Sequence, residues 1–258
     1  MEEDGFKLVR HRRRKLLQKS IDTTTHEYMN DLGTLNLNSG NDIIEKINKC
    51  LNEISYFVED FDNVLKEILT SNNQNENTST IGQIVCFGLG NFTRSRSSMY
   101  QLALLRHLMK HEKFLNHHYE NKFIAYDPIF TEFEKNILKS FGFQILQNNN
   151  DCRYPIIQSS SLESITLLFM PHMDYNHYYN VLDCNRENID HLIIFGNSLD
   201  ICLNEKYFTE YSTDLRRFLQ EISAQKFLIE HHLLMNNNNN NFYNEIFYRQ
   251  SLHRFLSK

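Results

Sequence analysis

Ile84-Val85-Cys86-Phe87-Gly88-Leu89-Gly90-Asn91-Phe92 joins a β-branched and aromatic run to a turn carrying two glycines. The run has strand length and stops at Gly88; Ser97–Phe114 then places Leu102, Leu105 and Leu108/Met109 at helical spacing. Strand, glycine turn and helix in that order are the opening half of a βαβ unit. Downstream the pattern repeats. Phe123–Tyr126 reads as a second strand, followed by Asp127-Pro128. Thr131–Phe141 reads as a helix, with Thr131 and Glu134 at capping-box spacing and a stop at Gly142. Further strands are predicted at Phe143–Leu146, Ile165–Met170, Leu192–Phe195 and Phe227–Ile229. Helices are predicted at Thr213–Ser223 and, last, at Phe242–Leu256. Alternation of this kind implies right-handed crossovers and a parallel sheet.

Upstream, Ile47, Leu51, Ile54, Val58, Phe61, Leu65 and Ile68 recur in alternating steps of four and three between Asp42 and Leu69. That is one helical stripe, with Asp42 and Glu45 at capping-box spacing. The steps also fit a heptad, which would suit a partner helix, but Phe57 and Leu69 widen the stripe toward packing on the protein's own sheet. Ser71–Thr80 is a polar linker, and Asn236–Asn241 an asparagine run placed where a loop insertion is tolerated. The fold class is therefore α/β, a Rossmann-like three-layer fold with a mostly parallel sheet, preceded by a long amphipathic helix. One domain is expected over 41–258, with its core at 81–200, after an arm (1–40) that reads as disordered.

The 258 residues carry a net charge of −5, unevenly spread: residues 1–20 hold seven basic and three acidic side chains. A basic arm on an acidic body does not suit sequence-specific DNA binding by the folded domain, whose surface would have to be basic. His11-Arg12-Arg13-Arg14-Lys15 reads as a nuclear-import or partner-binding patch, or as a solvated tail. No apolar run approaches the ~18 residues of a membrane span, and the start of the chain lacks an apolar signal segment. Cytoplasm or nucleus is the expected location. The five cysteines, Cys50, Cys86, Cys152, Cys184 and Cys202, are widely spaced, as expected of reduced thiols rather than a zinc site.

Parallel strands end on one edge, and ligands bind outside that edge where strand order reverses. The residues after each predicted strand are therefore the candidates: Gly88, Gly90 and Asn91, then Asp127-Pro128, Pro171-His172, Gly196-Asn197-Ser198, and Glu230-His231-His232. Gly88 and Gly90 supply two glycines of a dinucleotide fingerprint whose third place is taken by Thr93. A Cβ at Gly90 would obstruct a nucleotide-like ligand approaching that turn. Asp127 could accept hydroxyl hydrogen bonds or cap the turn before Pro128. His172 could act as acid, base or ligand donor, or serve as a hydrogen-bonded structural histidine. A hydrolase triad of Ser198, His172 and Asp127 can be drawn, yet the second glycine of a nucleophile elbow is missing. His107 and His111 share a helical face, and His117-His118 and His231-His232 are doublets. Without a zinc or haem motif beside them they read as incidental, and no metal is expected.

The same strand ends carry a resemblance to a family. Residues 85–92, with Ser95, Ser97 and Tyr100-Gln101-Leu102-Ala103, resemble the opening signature of the Sensitivity to Red-light Reduced family. Tyr126-Asp127-Pro128 with Phe130, Glu134 and Leu138 is similar to its second block. Phe169-Met170-Pro171-His172 with Leu182 and Asn185 resembles its third, and Ile194–Ser198 its fourth. Asp4-Gly5-Phe6 and Val9 resemble its start, so the likeness spans roughly residues 4–200. Met173 stands where the family often has Cys, and Leu199 where it often has Phe. The motif matches add Tyr100, Gln101 and Glu134 to the candidate ligand-binding residues. The resemblance implies a regulatory protein linked to circadian-clock and light input and, in some members, to haem biosynthesis, with no known reaction. An adenosylmethionine-dependent transferase and a non-catalytic scaffold, docking partners through the arm or the 42–69 helix, are the alternatives.

Overall fold

A computed structural model describes residues 40–70, 79–111, 114–115, 122–156, 164–203, 213–233 and 246–257. The chain divides into two units at residue 42. The first is described only over Gly40–Asp42, so the readings made for residues 1–39 of the arm, 71–78 of the linker and the asparagine run lie outside the described residues, while Thr80, read as linker, is the first residue of a strand.

Helices α1 (Gly40–Glu53) and α2 (Ser55–Thr70) together occupy the long amphipathic segment. Two helices stand where one was predicted, but the hydrogen-bond ladder crosses the join: Ile54 N–H donates to Cys50 O and Val58 N–H to Ile54 O, both at 3.0 Å. Asp42 lies in the first turn of α1, not at its cap. The predicted stripe is the buried face, with Leu51 alone half-buried. No helix among the described residues is long and apolar enough to cross a membrane.

Among the described residues the sheet holds seven strands: β1 (Thr80–Phe87), β2 (Lys122–Tyr126), β3 (Phe143–Ile145), β4 (Ser164–Met170), β5 (Leu192–Asn197), β6 (Lys226–His232) and β7 (Gln250–Ser257). Their order is β3-β2-β1-β4-β5-β7-β6. Strands β1 to β5 pair in parallel, while β7 runs antiparallel to both of its neighbours, so β6 points the same way as β1 to β5. The crossover helices are α3 (Arg96–Lys110), α4 (Glu132–Ser140), α5 (Tyr175–Cys184), the short α6 (Asp200–Leu203) and α7 (Thr213–Ile222). Ser95 caps α3, and Thr131 with Glu134 forms the predicted capping box on α4.

The predicted terminal helix over 242–256 is corrected by β7. This strand is inserted between β5 and β6, so both of its faces are covered and it cannot show a simple apolar–polar alternation. It buries Ser251, His253 and Arg254 beside Leu252 and Phe255, a mixture that reads as neither period. The polar members find partners: His253 Nδ1 lies 3.1 Å from Ile194 O, and Arg254 Nη1 donates to Ile68 O.

The helices lie on both faces of the sheet. On one, Phe61 of α2 meets Phe195 edge-on at 5.2 Å, Phe57 stacks on Phe247 at 4.1 Å, and Phe195 lies 5.0 Å from Phe169. On the other, Val85, Leu168, Met170, Ile194 and Phe255 pack against Tyr178 and Val181 of α5 and Leu215 and Phe218 of α7. Cys50, Cys86 and Cys152 are free and buried in these layers. Burial raises all three thiols, Cys50 to about 11 and Cys152 to about 12, which suppresses the reactive thiolate.

Phe61 sits at the centre of the aromatic layer, is fully buried and has no polar duty. Phe61→Ala is expected to lower unfolding free energy by about 3–5 kcal/mol. Tyr56→Ala, on the solvent side of the same helix and 51% exposed, should stay within about 0.5 kcal/mol. Urea denaturation of both variants checks the contrast.

Candidate functional site

Strand order reverses between β1 and β4: the chain proceeds from β1 outward through β2 to β3, then returns to β4 and goes the other way. The loops after these two strands leave in opposite directions, and at the carboxyl edge of an open α/β sheet such a switch point is where a crevice forms. Gly88–Asn91, Asp127-Pro128 and Pro171-His172 follow strands of the parallel set and Gly196–Ser198 spans the end of β5, so all lie at this edge.

On the β1 side the turn is built by its glycines and held by two acids. Gly88 (φ 74°) and Gly90 (φ 77°) both adopt left-handed backbone. Gly90 N–H donates to Asp127 Oδ2 at 2.8 Å, and Ile129 N–H donates to Asp127 Oδ1 at 3.0 Å. Asp127 therefore ties the loop after β2 to the glycine turn with both oxygens. Pro128 is exposed in the turn that follows it. Glu134 is fully buried and repeats the device: Oε1 accepts from Thr93 N–H at 3.0 Å, while Oε2 accepts from Thr131 N–H and the Thr131 hydroxyl, both at 3.0 Å. Thr93, at the third-glycine place, also donates its hydroxyl to Asn91 Oδ1 at 2.9 Å. Phe92 and Phe130 pack edge-on beneath at 6.3 Å.

The geometry gives Gly90 a structural reason of its own. A Cβ there would come within 2.6 Å of Ser98 Oγ, and the left-handed φ strains any side chain. Gly90 is needed by its own turn before any ligand arrives. The space beside Gly88 is held by the Met173 thioether, which a Cβ at 88 would strike. Met173, at the position where the resembled family often has Cys, thus covers the centre of the crevice.

On the β4 side Asn197 gathers the loops. Its Oδ1 accepts from His172 N–H (3.0 Å) and from Gln250 Nε2 (3.0 Å), and its Nδ2 donates to Met173 O (2.8 Å). The Tyr178 hydroxyl is wedged between the ends of β4 and β5. It donates to Met170 O at 2.5 Å and accepts from Asn197 N–H at 2.7 Å, filling the space a Cβ on Gly196 would need. Pro171 is buried at the bend, and His172 follows with φ 59°, a left-handed conformation that histidine tolerates better than most residues. His172 Nε2 lies 2.7 Å from Ile246 O; a carbonyl only accepts, so Nε2 carries the proton. Nδ1 then accepts from Gln250 Nε2 at 3.3 Å.

The triad geometry is absent. Ser198 is 2% exposed, with its N–H on Arg249 O and its carbonyl accepting from Tyr175. His172 faces Ile246 and Gln250, and Asp127 holds the other loop. Tyr100 leaves the crevice altogether, its hydroxyl donating to Glu53 of α1, and Gln101 is buried within α3. Asn185 is structural: it accepts from Ile156 N–H at 2.7 Å and donates to Tyr154 O at 2.8 Å.

Met173, Tyr178, Gln250 and His253 were not found from the sequence. Gln250 and His253 fall in the stretch read as helix, and nothing local marks a tyrosine eight residues beyond Met170 as the wedge at that strand's end. Behind the β5 loop, Glu230 lies 3.5 Å from His253 Nε2 and accepts Asp200 N–H at 2.8 Å. Burial pushes its carboxyl up, but the His253 imidazole, the Ser198 hydroxyl and the Asp200 N–H together hold it down at about 2. A depressed carboxylate stabilises the fold above its unfolded value and loses that contribution as pH falls toward the folded one. Stability is therefore expected to drop between pH 4.5 and about 2. Glu230→Gln should lower stability at neutral pH and flatten the profile in that window, as followed by thermal melts against pH.

The SRR1 domain model matches residues 46–254. An SRR1-like protein of Drosophila melanogaster is 28% identical over 46% of this chain and 40% of its own length. Protein SENSITIVITY TO RED LIGHT REDUCED 1 of Arabidopsis thaliana is 26% identical over the same shares, so the matched stretch spans about two fifths of these relatives. Among solved structures, a Klebsiella pneumoniae protein assigned as an O-methyltransferase is similar with a TM-score of 0.43 and 8% identity, covering 83% of this chain and 88% of that one. With the family model covering most of the chain, including the crevice loops and both acids that hold them, this protein belongs to the SRR1 domain family.

Proposed function

We propose that this chain is a regulator of the Sensitivity to Red light Reduced type, which receives a nucleotide-like small ligand in the β1–β4 crevice without transforming it. One observation carries the reading. The acid and base best placed for chemistry, Asp127 and His172, have their polar atoms committed to neighbouring loops, Asp127 to two backbone N–H groups and His172 to Ile246 and Gln250. A general base must reach the proton it removes, and these two reach the scaffold instead. Such ties suit a crevice preformed for binding. The Arabidopsis relative's name refers to red light, and the resemblance supports input to circadian or light-responsive regulation and, in some members, to haem biosynthesis. Protein partners would dock through the basic arm or the outer face of α1–α2, where Ile44 and Tyr56 are exposed.

A second reading, an adenosylmethionine-dependent transferase, is favoured by the double-glycine turn beside Asp127 at the switch point of the sheet. Calorimetry with ATP, NAD, adenosylmethionine and adenosylhomocysteine separates the two. The regulator reading expects saturable binding of at least one adenosine ligand and no conversion of adenosylmethionine to adenosylhomocysteine by mass spectrometry. Met173→Trp, which enlarges the side chain over Gly88, should weaken that binding at least tenfold while leaving the melting temperature within a few degrees. Turnover of adenosylmethionine would establish the transferase instead. Failure of all four ligands to bind would remove the nucleotide pocket.

A further inference from the structure

The carboxyl-edge crevice leaves unused a cluster at the other edge of the sheet. Helix α3 starts beside the crevice and runs back, so that its last turn lies near the start of β1, where Ile81 N–H donates to Phe114 O at 2.7 Å. His107 sits in that last turn and His111, four residues on, is the C-cap of the helix, its ring 5.2 Å from that of His107. The carboxylate of Asp62, from the middle of α2, faces both. His107 Nε2 lies 2.8 Å from Asp62 Oδ2, and His111 Nε2 lies 3.4 Å from the same oxygen. The donor atoms of the three residues all fall within 4.8 Å of one another. The His111 ring is fixed by stacking on Phe114 at 4.0 Å and 17°.

We infer that Asp62, His107 and His111 form a binding site for a divalent transition metal of the zinc class. The donor set is two imidazole nitrogens and one carboxylate oxygen, the N/O chemistry that zinc accepts, with the histidines at the i, i+4 spacing that aims two rings at one ion. Zinc bonds of about 2.0–2.2 Å at tetrahedral angles put neighbouring donor atoms about 3.3–3.6 Å apart. The His111–Asp62 separation of 3.4 Å already has that value, and it is too long for a good hydrogen bond. The His107–Asp62 pair at 2.8 Å would open by about half an ångström, a side-chain adjustment on exposed flanks. All three side chains are about one-fifth exposed, so an ion has a path of entry.

Asp62 and His111 also line a surface cavity of about 520 Å³ that includes Glu59, and His107 and His111 line a second of about 200 Å³. Three protein ligands beside a cavity leave a fourth position for water or for a donor atom of a bound molecule, the arrangement of open zinc sites. The two histidines share a helical face in the sequence, where they read as incidental and no metal was expected. Their carboxylate was not apparent there, because it comes from another helix 45 residues earlier than His107.

The test uses the whole chain, stripped with a chelator and then titrated with Zn²⁺ by calorimetry and with Co²⁺ by visible absorption. One equivalent should bind, cobalt should give the intense d–d bands of a four-coordinate ion, and zinc should raise the melting temperature by joining α2 to α3. Asp62→Asn and His107→Gln should each lose more affinity than the ~10–100-fold that outer-shell changes cost, and should lose the thermal shift. Were either variant to misfold, the cobalt spectrum of the unaltered protein still decides. Weak six-coordinate bands, no binding, or unchanged stoichiometry and affinity in both variants would overturn the assignment.

Discussion

The parallel pairing of β1 with β4 is the constraint on which the rest of the molecule depends. These strands are consecutive neighbours in the sheet but not in the chain, since β2 and β3 lie between them in sequence and to one side in space. The connections therefore leave the centre in opposite directions, and the carboxyl-edge loops part above it. Placing β7 antiparallel between β5 and β6 lets β6 keep the common direction, so Glu230 joins the same edge.

An opening at the centre of a sheet exposes turns that would otherwise be loose. Here two sets of side chains hold them. Asp127 and Glu134 each accept a hydrogen bond from a backbone N–H of the β1 loop, at 2.8 and 3.0 Å. On the other flank Asn197, Tyr178 and Gln250 join β4, β5 and β7 with neutral hydrogen bonds. The left-handed His172 persists because its own N–H is taken up by Asn197. Between the flanks the Met173 thioether lies against Gly88, a flexible and deformable neighbour.

Much of this was legible in the residues. Strands β1, β2, β4 and β5 stand out because they are buried on both faces and end at Gly88, Asp127, Pro171 and Gly196, where the backbone must turn. The edge on which those residues meet follows from parallel direction alone. Two things were hidden. β7 carries Ser251, His253 and Arg254 into the core, and their burial depends on partners, Ile194 O and Ile68 O, that are distant in sequence. The duties of Asp127, His172 and Ser198 were hidden for the same reason. A polar residue at a strand end can face a ligand or a neighbouring loop, and only the positions of Gly90, Ile246 and Arg249 decide which.

The central claim is that the crevice is built before any ligand binds, by carboxylates that hold backbone N–H groups of its loops. Residue-resolved hydrogen exchange on the ligand-free protein measures this directly, at the amides of Gly90, Thr93 and Thr131. If Asp127 and Glu134 hold them, these loop amides exchange far more slowly than the solvent-exposed amide rate, in step with the strands they follow. Asp127→Asn should then release Gly90 before Thr93. Exchange of Gly90 and Thr93 at the rate of an open loop in the unaltered protein would contradict the account.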